Sequence, residues 1–230
     1  MKTLGVLTIV LASCLGVMAQ SKPLELTTEP GHHLVLSNQY TRVFQVTVQP
    51  HATTQLHLHR HSYLFVNLGQ AEIENDVQGK APVKMKLADG QTELAPGPFA
   101  HVIKNVGNTP FRNVTIEILR SPSSSAQGAP RERGLSVDSG LVIDTLFDTD
   151  QVRVSEFQLN PGAHVDIHQD QWPHLLVAVS DLKLRDQRPN GRGGDLNQKA
   201  GDISWSKGGH PHTFTNLGLK QAHWIDVEFK

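Results

Sequence analysis

The chain of 230 residues has a single cysteine, Cys14, which lies in an apolar N-terminal segment. The rest of the chain can therefore form no disulfide, thiolate metal site or cysteine nucleophile. The net charge is only −1, and no basic stripe with interleaved aromatic residues occurs, so a nucleic-acid partner is not expected. Motifs of serine hydrolases, zinc peptidases, P-loop proteins and dinucleotide-binding folds are also missing. The composition, 38% hydrophobic and 19% charged, is that of a globular protein with enough apolar residues for a core.

Long hydrophobic runs are missing as well, except at the N-terminus. An apolar run from Leu4 to Leu15 precedes Val17-Met18-Ala19, which offers small residues for signal-peptidase cleavage. This pattern predicts a secretory signal peptide over residues 1–19, cleaved near Ala19, and no membrane span. A secreted or periplasmic protein is therefore expected, and the lack of disulfides favours a bacterial one. The alternative is a lipoprotein anchored at Cys14, since Leu11-Ala12-Ser13-Cys14 resembles a lipoprotein box.

Histidine is the residue type that stands out, because the chain has 13 and most lie in two similar segments. The first segment is PHATTQLHLHRHSY from Pro50, and the second is PGAHVDIHQDQWPH from Pro161. The offset of 111 residues between them also aligns Arg42 with Arg153, Gly90 with Gly201, His101 with His212, Asn105 with Asn216 and Glu117 with Glu228. A register kept over this range without a gap predicts two units of the same structure, each with its own imidazole site.

Short strand patterns fill both units. Val114-Thr115-Ile116-Glu117-Ile118 and Ile225-Asp226-Val227-Glu228-Phe229 alternate apolar and polar residues with a period of two, as strands do. Turn signals such as Asp89-Gly90 and Asn160-Pro161-Gly162 separate runs of this kind, and no convincing helical periodicity occurs. These features predict an all-β fold of the sandwich, jelly-roll or barrel type.

The composition also indicates where the units begin and end. Residues 121–134 (SPSSSAQGAPRERG) are rich in Ser, Pro, Gly and Ala, which is typical of a linker. After the signal peptide, the predicted organisation is an N-terminal segment over 20–36, a first unit over 37–120 and a second unit over 135–230.

The alternation of histidines in the first unit indicates a metal site. His57, His59 and His61 are spaced so that, on a strand, all three rings lie on one face and converge if that face lines a barrel. An exposed polar face is the alternative interpretation of this spacing. Several neutral imidazoles packed together are typical of a site for a first-row divalent metal.

These and later segments resemble the two motifs of the cupin superfamily. The second cupin motif is similar to the segment with Gly201, Gly209, His212 and Asn216, and to the one with Gly90, Pro96, His101 and Asn105. The first cupin motif is similar to the stretch with His51, His57, His59 and Gly69, and to the one with Gly162 and His168. The chain thus resembles a bicupin over nearly all of residues 37–230. This resemblance implies two tandem antiparallel jelly-roll barrels with metal bound inside.

The resemblance also implies which side chains bind the metal. In cupins the His-x-His pair and the histidine of the second motif are ligands, which gives His57, His59 and His101 in the first unit. Ser62 stands where the family has a glutamate ligand, so His61 is a candidate fourth ligand, and three histidines with water are the alternative. The second unit offers a weaker set, in which an aspartate replaces one histidine: His168, Asp170, His174 and His212.

The implied cofactor is one divalent transition metal, Fe, Mn, Ni or Zn, in the first barrel, with a second ion in the second barrel if that site is intact. Three histidines leave positions open for a small chelating substrate and dioxygen, as in the three-histidine dioxygenases of this superfamily. Tyr63 is the candidate catalytic side chain, because strand parity turns it inward. The expected function is a metal-dependent oxidoreductase of the dioxygenase class. The alternative is a non-catalytic cupin that binds a sugar, a small acid or a metal, and a homodimer is expected if the second barrel only packs.

Overall fold

The computed structural model describes residues 22–119, 135–138, 140–191 and 193–230, and these residues fold almost entirely as strands. The predicted signal peptide and the predicted linker lie outside the described residues. Within them, the one helical element is a single 3-10 turn, Leu26–Thr28, and no helix is long and apolar enough to cross a membrane. The all-β prediction is confirmed.

The first half of the chain forms a barrel of ten strands in two five-stranded sheets. The strands are β1 (Leu24–Glu25), β2 (His32–Ser37), β3 (Thr41–Val48), β4 (His57–His59), β5 (Tyr63–Leu68), β6 (Ala71–Val77), β7 (Val83–Leu87), β8 (Thr92–Ala95), β9 (Phe99–Asn105) and β10 (Phe111–Ile118). The sheet orders are β1-β4-β9-β6-β7 and β2-β3-β10-β5-β8. Only β1 and β4 pair in parallel among these strands, and both sheets contribute to one buried core around Phe44, Ile73 and Phe111.

The second half repeats this plan with a change at one edge. Its strands are β11 (Leu135–Asp138), β12 (Leu141–Asp148), β13 (Val152–Leu159), β14 (His168–Gln169), β15 (His174–Ala178), β16 (Leu182–Gln187), β17 (Gly194–Gln198), β18 (Ile203–Ser206), β19 (Pro211–Asn216) and β20 (Ala222–Phe229). The sheet orders are β11-β12-β13-β20-β15-β18 and β14-β19-β16-β17. Because β11 pairs with β12, the edge strand β14 has no partner equivalent to β1 among the described residues.

The offset of 111 residues seen in the sequence is a structural repeat. Strands β3 and β10 map residue for residue onto β13 and β20. The side-chain amide of Asn105 donates to the carbonyls of Val48 and Thr109, at 2.9 and 2.8 Å. Asn216 makes the equivalent bonds to Leu159 and Lys220, at 2.8 and 2.9 Å. The asparagines therefore fasten the same turn to the same strand in both barrels.

A further hydrophobic core lies between the two barrels, and we call it the interface core. Its members come in pairs related by the repeat, among them Val43 with Val154, Leu64 with Leu175, Val66 with Val177, Val114 with Ile225 and Ile116 with Val227. At its margin, the side chain of Gln45 donates to the carbonyl of Gly201 at 2.9 Å. Strands β10 and β20 are thus buried on both faces, with one face in the interface core and the other in a barrel.

Candidate metal centre

Four histidine rings meet inside the first barrel. Strand β4 supplies His57 and His59, β9 supplies His101, and β2 supplies His32. The alternation of β4 turns both of its histidines inward, and the β4–β9 register places His57 directly opposite His101. All four side chains are buried, with exposures between 0% and 8%. The predicted set of His57, His59 and His101 is therefore brought together by the fold.

Hydrogen bonds orient two of these rings toward a common point. The Nδ1 of His57 donates to the carbonyl of Gln55 at 2.8 Å, and Nδ1 of His101 contacts Oδ1 of Asn75 at 2.9 Å. Their Nε2 atoms are left for the cluster, where Nε2 of His101 lies 3.2 Å from Nε2 of His59. Two imidazole nitrogens bound to one ion at about 2.0–2.1 Å would be about 2.8–3.4 Å apart at right or tetrahedral angles. The observed spacing suits two ligands of one ion.

Burial keeps these imidazoles neutral. Desolvation lowers the pKa of His57 to about 4, and the nearby His32 acts in the same direction. Desolvation and the neighbouring histidines also hold the pKa values of His59 and His101 far below the usual range. A metal ion binds neutral imidazole, so this environment favours metal over protons.

Unsatisfied ring nitrogens provide an independent test of the fit. The Nε2 of His57 and the Nδ1 of His59 are buried without a hydrogen-bond partner. Each such group typically costs about 1–3 kcal/mol. Because His59 faces His101 with its Nε2, a shared metal ion would take the lone pair of Nε2 of His57 and would not reach Nδ1 of His59. The unpartnered Nε2 of His57 therefore fits the metal that the sequence motifs imply.

The cluster borders a small cavity of about 50 Å³, lined further by Tyr63, Phe65 and Thr115. Tyr63 stacks on His59 with ring centroids 4.0 Å apart and an interplanar angle of 18°. Burial raises the pKa of Tyr63, so its hydroxyl stays protonated at neutral pH. The prediction that strand parity turns Tyr63 inward is confirmed.

The structure differs from the sequence prediction in which histidine joins the cluster: His32 does, and His61 does not. His61 lies half-buried in the bend after β4, and no ring contact among the described residues involves it. His32 contacts the ring of His57 instead, with centroids 4.7 Å apart. Neither motif includes His32, and Ile143 stands at its place in the second barrel, so the repeat gave no signal for it.

Two glycines, Gly97 and Gly208, allow a close backbone contact near the metal sites. They precede β9 and β19, the strands that carry His101 and His212. A Cβ on Gly97 would lie 2.4 Å from the carbonyl oxygen of His61, and one on Gly208 would lie 2.5 Å from that of Trp172. These two positions are equivalent in the repeat. Each glycine therefore holds the loop before β9 or β19 against the bend that follows the first histidines.

The second barrel also brings its four predicted ligands together, with the three histidines around Asp170. The Nε2 atoms of His174, His212 and His168 lie 3.5, 3.7 and 3.9 Å from its carboxylate oxygens. The β14–β19 register places His168 directly opposite His212, as His57 lies opposite His101. This set of three imidazoles and one carboxylate is more exposed than the first cluster, since the side chain of His168 is 35% accessible.

Two more carboxylates make this second site acidic. Asp226 and Glu228 line its cavity of about 50 Å³. Burial raises the pKa of Asp226 to about 7 and also raises that of Glu228. Burial alone would lower the pKa of His174, but Asp226 and Asp170 outweigh it and the net shift is upward. A proton therefore competes with a metal ion for His174 more strongly than for His57 in the first barrel, although burial lowers the pKa of His212.

No protein-family model matches the chain, and no curated protein is significantly similar to it in sequence. Solved structures of oxalate decarboxylase from Bacillus subtilis are similar in fold. A glutamate-to-alanine variant matches with a TM-score of 0.61 at 11% identity, covering 84% of this chain and 70% of the other. A tryptophan-to-tyrosine variant has a TM-score of 0.62 with the same identity and coverage. A structure used to study the Mn(II) centres of that enzyme has a TM-score of 0.61, again with 11% identity over 84% and 70% of the two chains. The predicted fold of two tandem antiparallel jelly-roll barrels is confirmed.

Proposed function

We propose that this chain, which has the fold of a bicupin, is a metal-dependent oxidoreductase of the dioxygenase type that acts on a small anionic substrate in the first barrel. The observation that carries the proposal is the group of buried, neutral imidazoles of His57, His59 and His101, in which Nε2 of His57 has no partner and Nε2 of His101 lies 3.2 Å from Nε2 of His59. Such a group has no structural use without a shared ligand, and first-row divalent metals are the ligands that imidazole favours.

His57, His59 and His101 would hold the metal, which supplies Lewis-acid and redox chemistry when bound. The chain's own residues prepare the site. The carbonyl of Gln55 and the side chain of Asn75 fix the rings of His57 and His101. The hydroxyl of Tyr63 keeps its proton because burial raises its pKa, so it can donate to a negatively charged oxygen of the substrate.

The cavity limits the substrate to a small molecule. About 50 Å³ is room for roughly three or four water-sized groups, which suits a short carboxylic acid better than a flavonol. The residues that line it include no lysine or arginine, so the metal itself must compensate the charge of an anionic substrate. Oxalate, on which the structurally similar enzyme acts, is an acid of this size.

The second barrel supports a different role. A second divalent ion would be held there by His168, Asp170, His174 and His212. The nearby carboxylates of Asp226 and Glu228 repel an anionic substrate, which favours non-catalytic metal binding at this site.

We also propose export, with cleavage near Ala19. Mass spectrometry of the mature N-terminus tests this against lipidation at Cys14.

The proposed activity is tested on mature protein loaded anaerobically with Fe(II), Mn(II), Ni(II) or Zn(II). Oxygen uptake and carbon dioxide release are measured with oxalate, other short acids, small thiols and diketones, and metal content is determined by mass spectrometry. Uptake that disappears in His59→Ala and survives in His168→Ala supports the proposal. The reverse pattern would move the activity to the second barrel. Tight binding of an unreacted acid with no turnover under any metal would make the protein a binding protein.

A further inference from the structure

His32 is placed as a member of the metal cluster rather than as a neighbour of it. The potential ligand atoms of His32, His57 and His59 all lie within 4.8 Å of one another. The side chain of His32 is 5% exposed, and its ring centroid is 6.3 Å from that of His59. An imidazole at this depth beside other imidazoles requires a reason, because nothing in the barrel plan demands it: the second barrel has Ile143 at this position.

A buried carboxylate fixes the orientation of His32. Its Nδ1 lies 2.6 Å from Oε2 of Glu29, whose side chain is 3% exposed. This contact leaves Nε2 as the nitrogen that is free for the cluster. A carboxylate that holds the far nitrogen of a histidine is the usual outer partner of an imidazole metal ligand, since it fixes the ring and raises its basicity.

Glu29 is itself held by the backbone next to the site. The amide of Gly31 donates to its Oε2 at 2.7 Å, and the amide of Gln55 donates to its Oε1 at 3.1 Å. The carbonyl of the same Gln55 accepts the hydrogen bond from His57. One peptide segment therefore positions both His57 and the carboxylate that positions His32. Gly140 stands at the equivalent of Glu29 in the second barrel, which lacks this arrangement.

We propose that His32 is the fourth imidazole ligand of the metal in the first barrel and that Glu29 is its positioning residue. His32 thereby replaces the glutamate ligand whose place in the family motif is taken here by Ser62. This inference rests on the proposed function, because it concerns the metal that His57, His59 and His101 would hold. A donor set of neutral imidazoles adds no charge to a divalent ion, and the single outer carboxylate of Glu29 compensates only part of it, so the site selects an anionic ligand for its remaining positions.

The test uses a mature parent protein in which His168→Ala and His212→Ala remove the second barrel's ligands. Co(II) is the probe metal, followed by its visible absorption bands and by competition with a chelator for affinity. His32→Ala should weaken Co(II) binding at least about 10-fold and change the bands. Glu29→Gln should weaken binding by roughly 10-fold and keep the band pattern, as expected for an outer partner. His33→Ala, on the exposed side of the same strand, and His61→Ala are the matched controls and should behave like the parent protein.

Unchanged affinity and bands in His32→Ala would overturn the inference while leaving the proposed site intact. A parent protein that binds no Co(II), or binding to the parent that survives His57→Ala, would instead refute the proposed function. If His32→Ala does not fold, pulsed EPR of the Cu(II) form of the same parent protein, with ¹⁵N-labelled histidine, counts the imidazoles bound in the first barrel directly. Four supports the inference, and three contradicts it.

Discussion

The ring of Tyr63 stacks on the imidazole of His59, and the residues at the same two places in the second barrel, His174 and Asp170, face each other as a charge pair at 3.5 Å. The duplication kept these inward positions and changed their chemistry. In the first barrel they give an aromatic ring packed on a neutral imidazole. In the second they give a histidine beside a carboxylate. The two sites therefore have the same frame and different preferences for ligands.

The hydroxyl of Tyr63 should matter for turnover and not for metal binding. Tyr63→Phe keeps the stacked ring and removes the proton donor, so we expect unchanged metal content and a turnover lowered about 100-fold, within the usual range for loss of a proton-transfer group. Steady-state oxygen uptake and metal analysis on the same preparation check this.

Tyr63→Leu is the comparison, because it also removes the stacking partner of His59. We expect this variant to lose metal affinity as well as turnover. If Tyr63→Phe and wild type turn over equally, Tyr63 supports His59 only through packing.

Much of the fold could be predicted because the repeat and the strand alternation are local signals. The alternation at 114–118 predicted a strand correctly. It could not show that the polar side chains face the barrel interior, where Thr115 is 4% exposed and Glu117 is fully buried. That depends on the interface core covering the apolar face of β10, which is a contact between distant parts of the chain.

The site was predictable to the extent that its residues belong to one strand or one motif. Parity gave His57 and His59, and the second motif gave His101. His32 depends on the pairing of β2 with β3, which places it opposite Val46, and no short-range pattern encodes that register. The second site seemed weaker in sequence because Asp170 replaces a histidine. In the fold, the carboxylate of Asp170 lies within 3.9 Å of the imidazoles of His168, His174 and His212.

The interface core should make the two barrels unfold together. All three tryptophans lie in the second half of the chain, but Trp205 borders the interface core and its ring lies 5.7 Å from that of Tyr40. In a Trp205→Phe background, the fluorescence of Trp172 and Trp224 therefore reports on the second barrel. Leu64→Ala, in the first barrel, should cost about 2–5 kcal/mol and lower the fluorescence-detected midpoint in urea. Leu219→Ala, at a 97% exposed position, should change it by less than about 0.5 kcal/mol. If Leu64→Ala leaves the fluorescence-detected midpoint unchanged, the barrels unfold independently.

The pair formed by Glu156 and His223 should make stability depend on acid pH. Oε1 of Glu156 lies 2.6 Å from Nε2 of His223, and this hydrogen bond lowers the pKa of Glu156 below its usual 4.5. Because the folded-state pKa is depressed, the stabilisation is fully present above pH 4.5 and is lost as the pH falls through the lower value. Glu156→Gln should therefore lower the free energy of unfolding at pH 7 by on the order of 1 kcal/mol, measured as a lower thermal midpoint, and the difference should shrink below pH 4.5. The control is Glu72→Gln, whose pair with Lys86 is exposed and should show no such trend. A difference that stays constant down to low pH would contradict the assignment.

The two metal sites should release their ions at different acidities. Histidines of ordinary pKa would lose metal as the pH falls through about 6.5. Burial lowers the pKa of His57 to about 4, so protons should displace an ion from the first barrel only below roughly pH 5. The pKa of His174 is raised by Asp226 and Asp170, so the second barrel should release its ion at a pH closer to neutral than the first barrel does. Protein loaded with Zn(II) and desalted at a series of pH values should therefore lose its metal in two steps, with far-ultraviolet circular dichroism showing that it remains folded. Asp170→Asn should remove the step closer to neutral pH and leave the acidic one. Release of both ions in one step, or loss of the acidic step in Asp170→Asn, would show that burial does not protect the first site from protons.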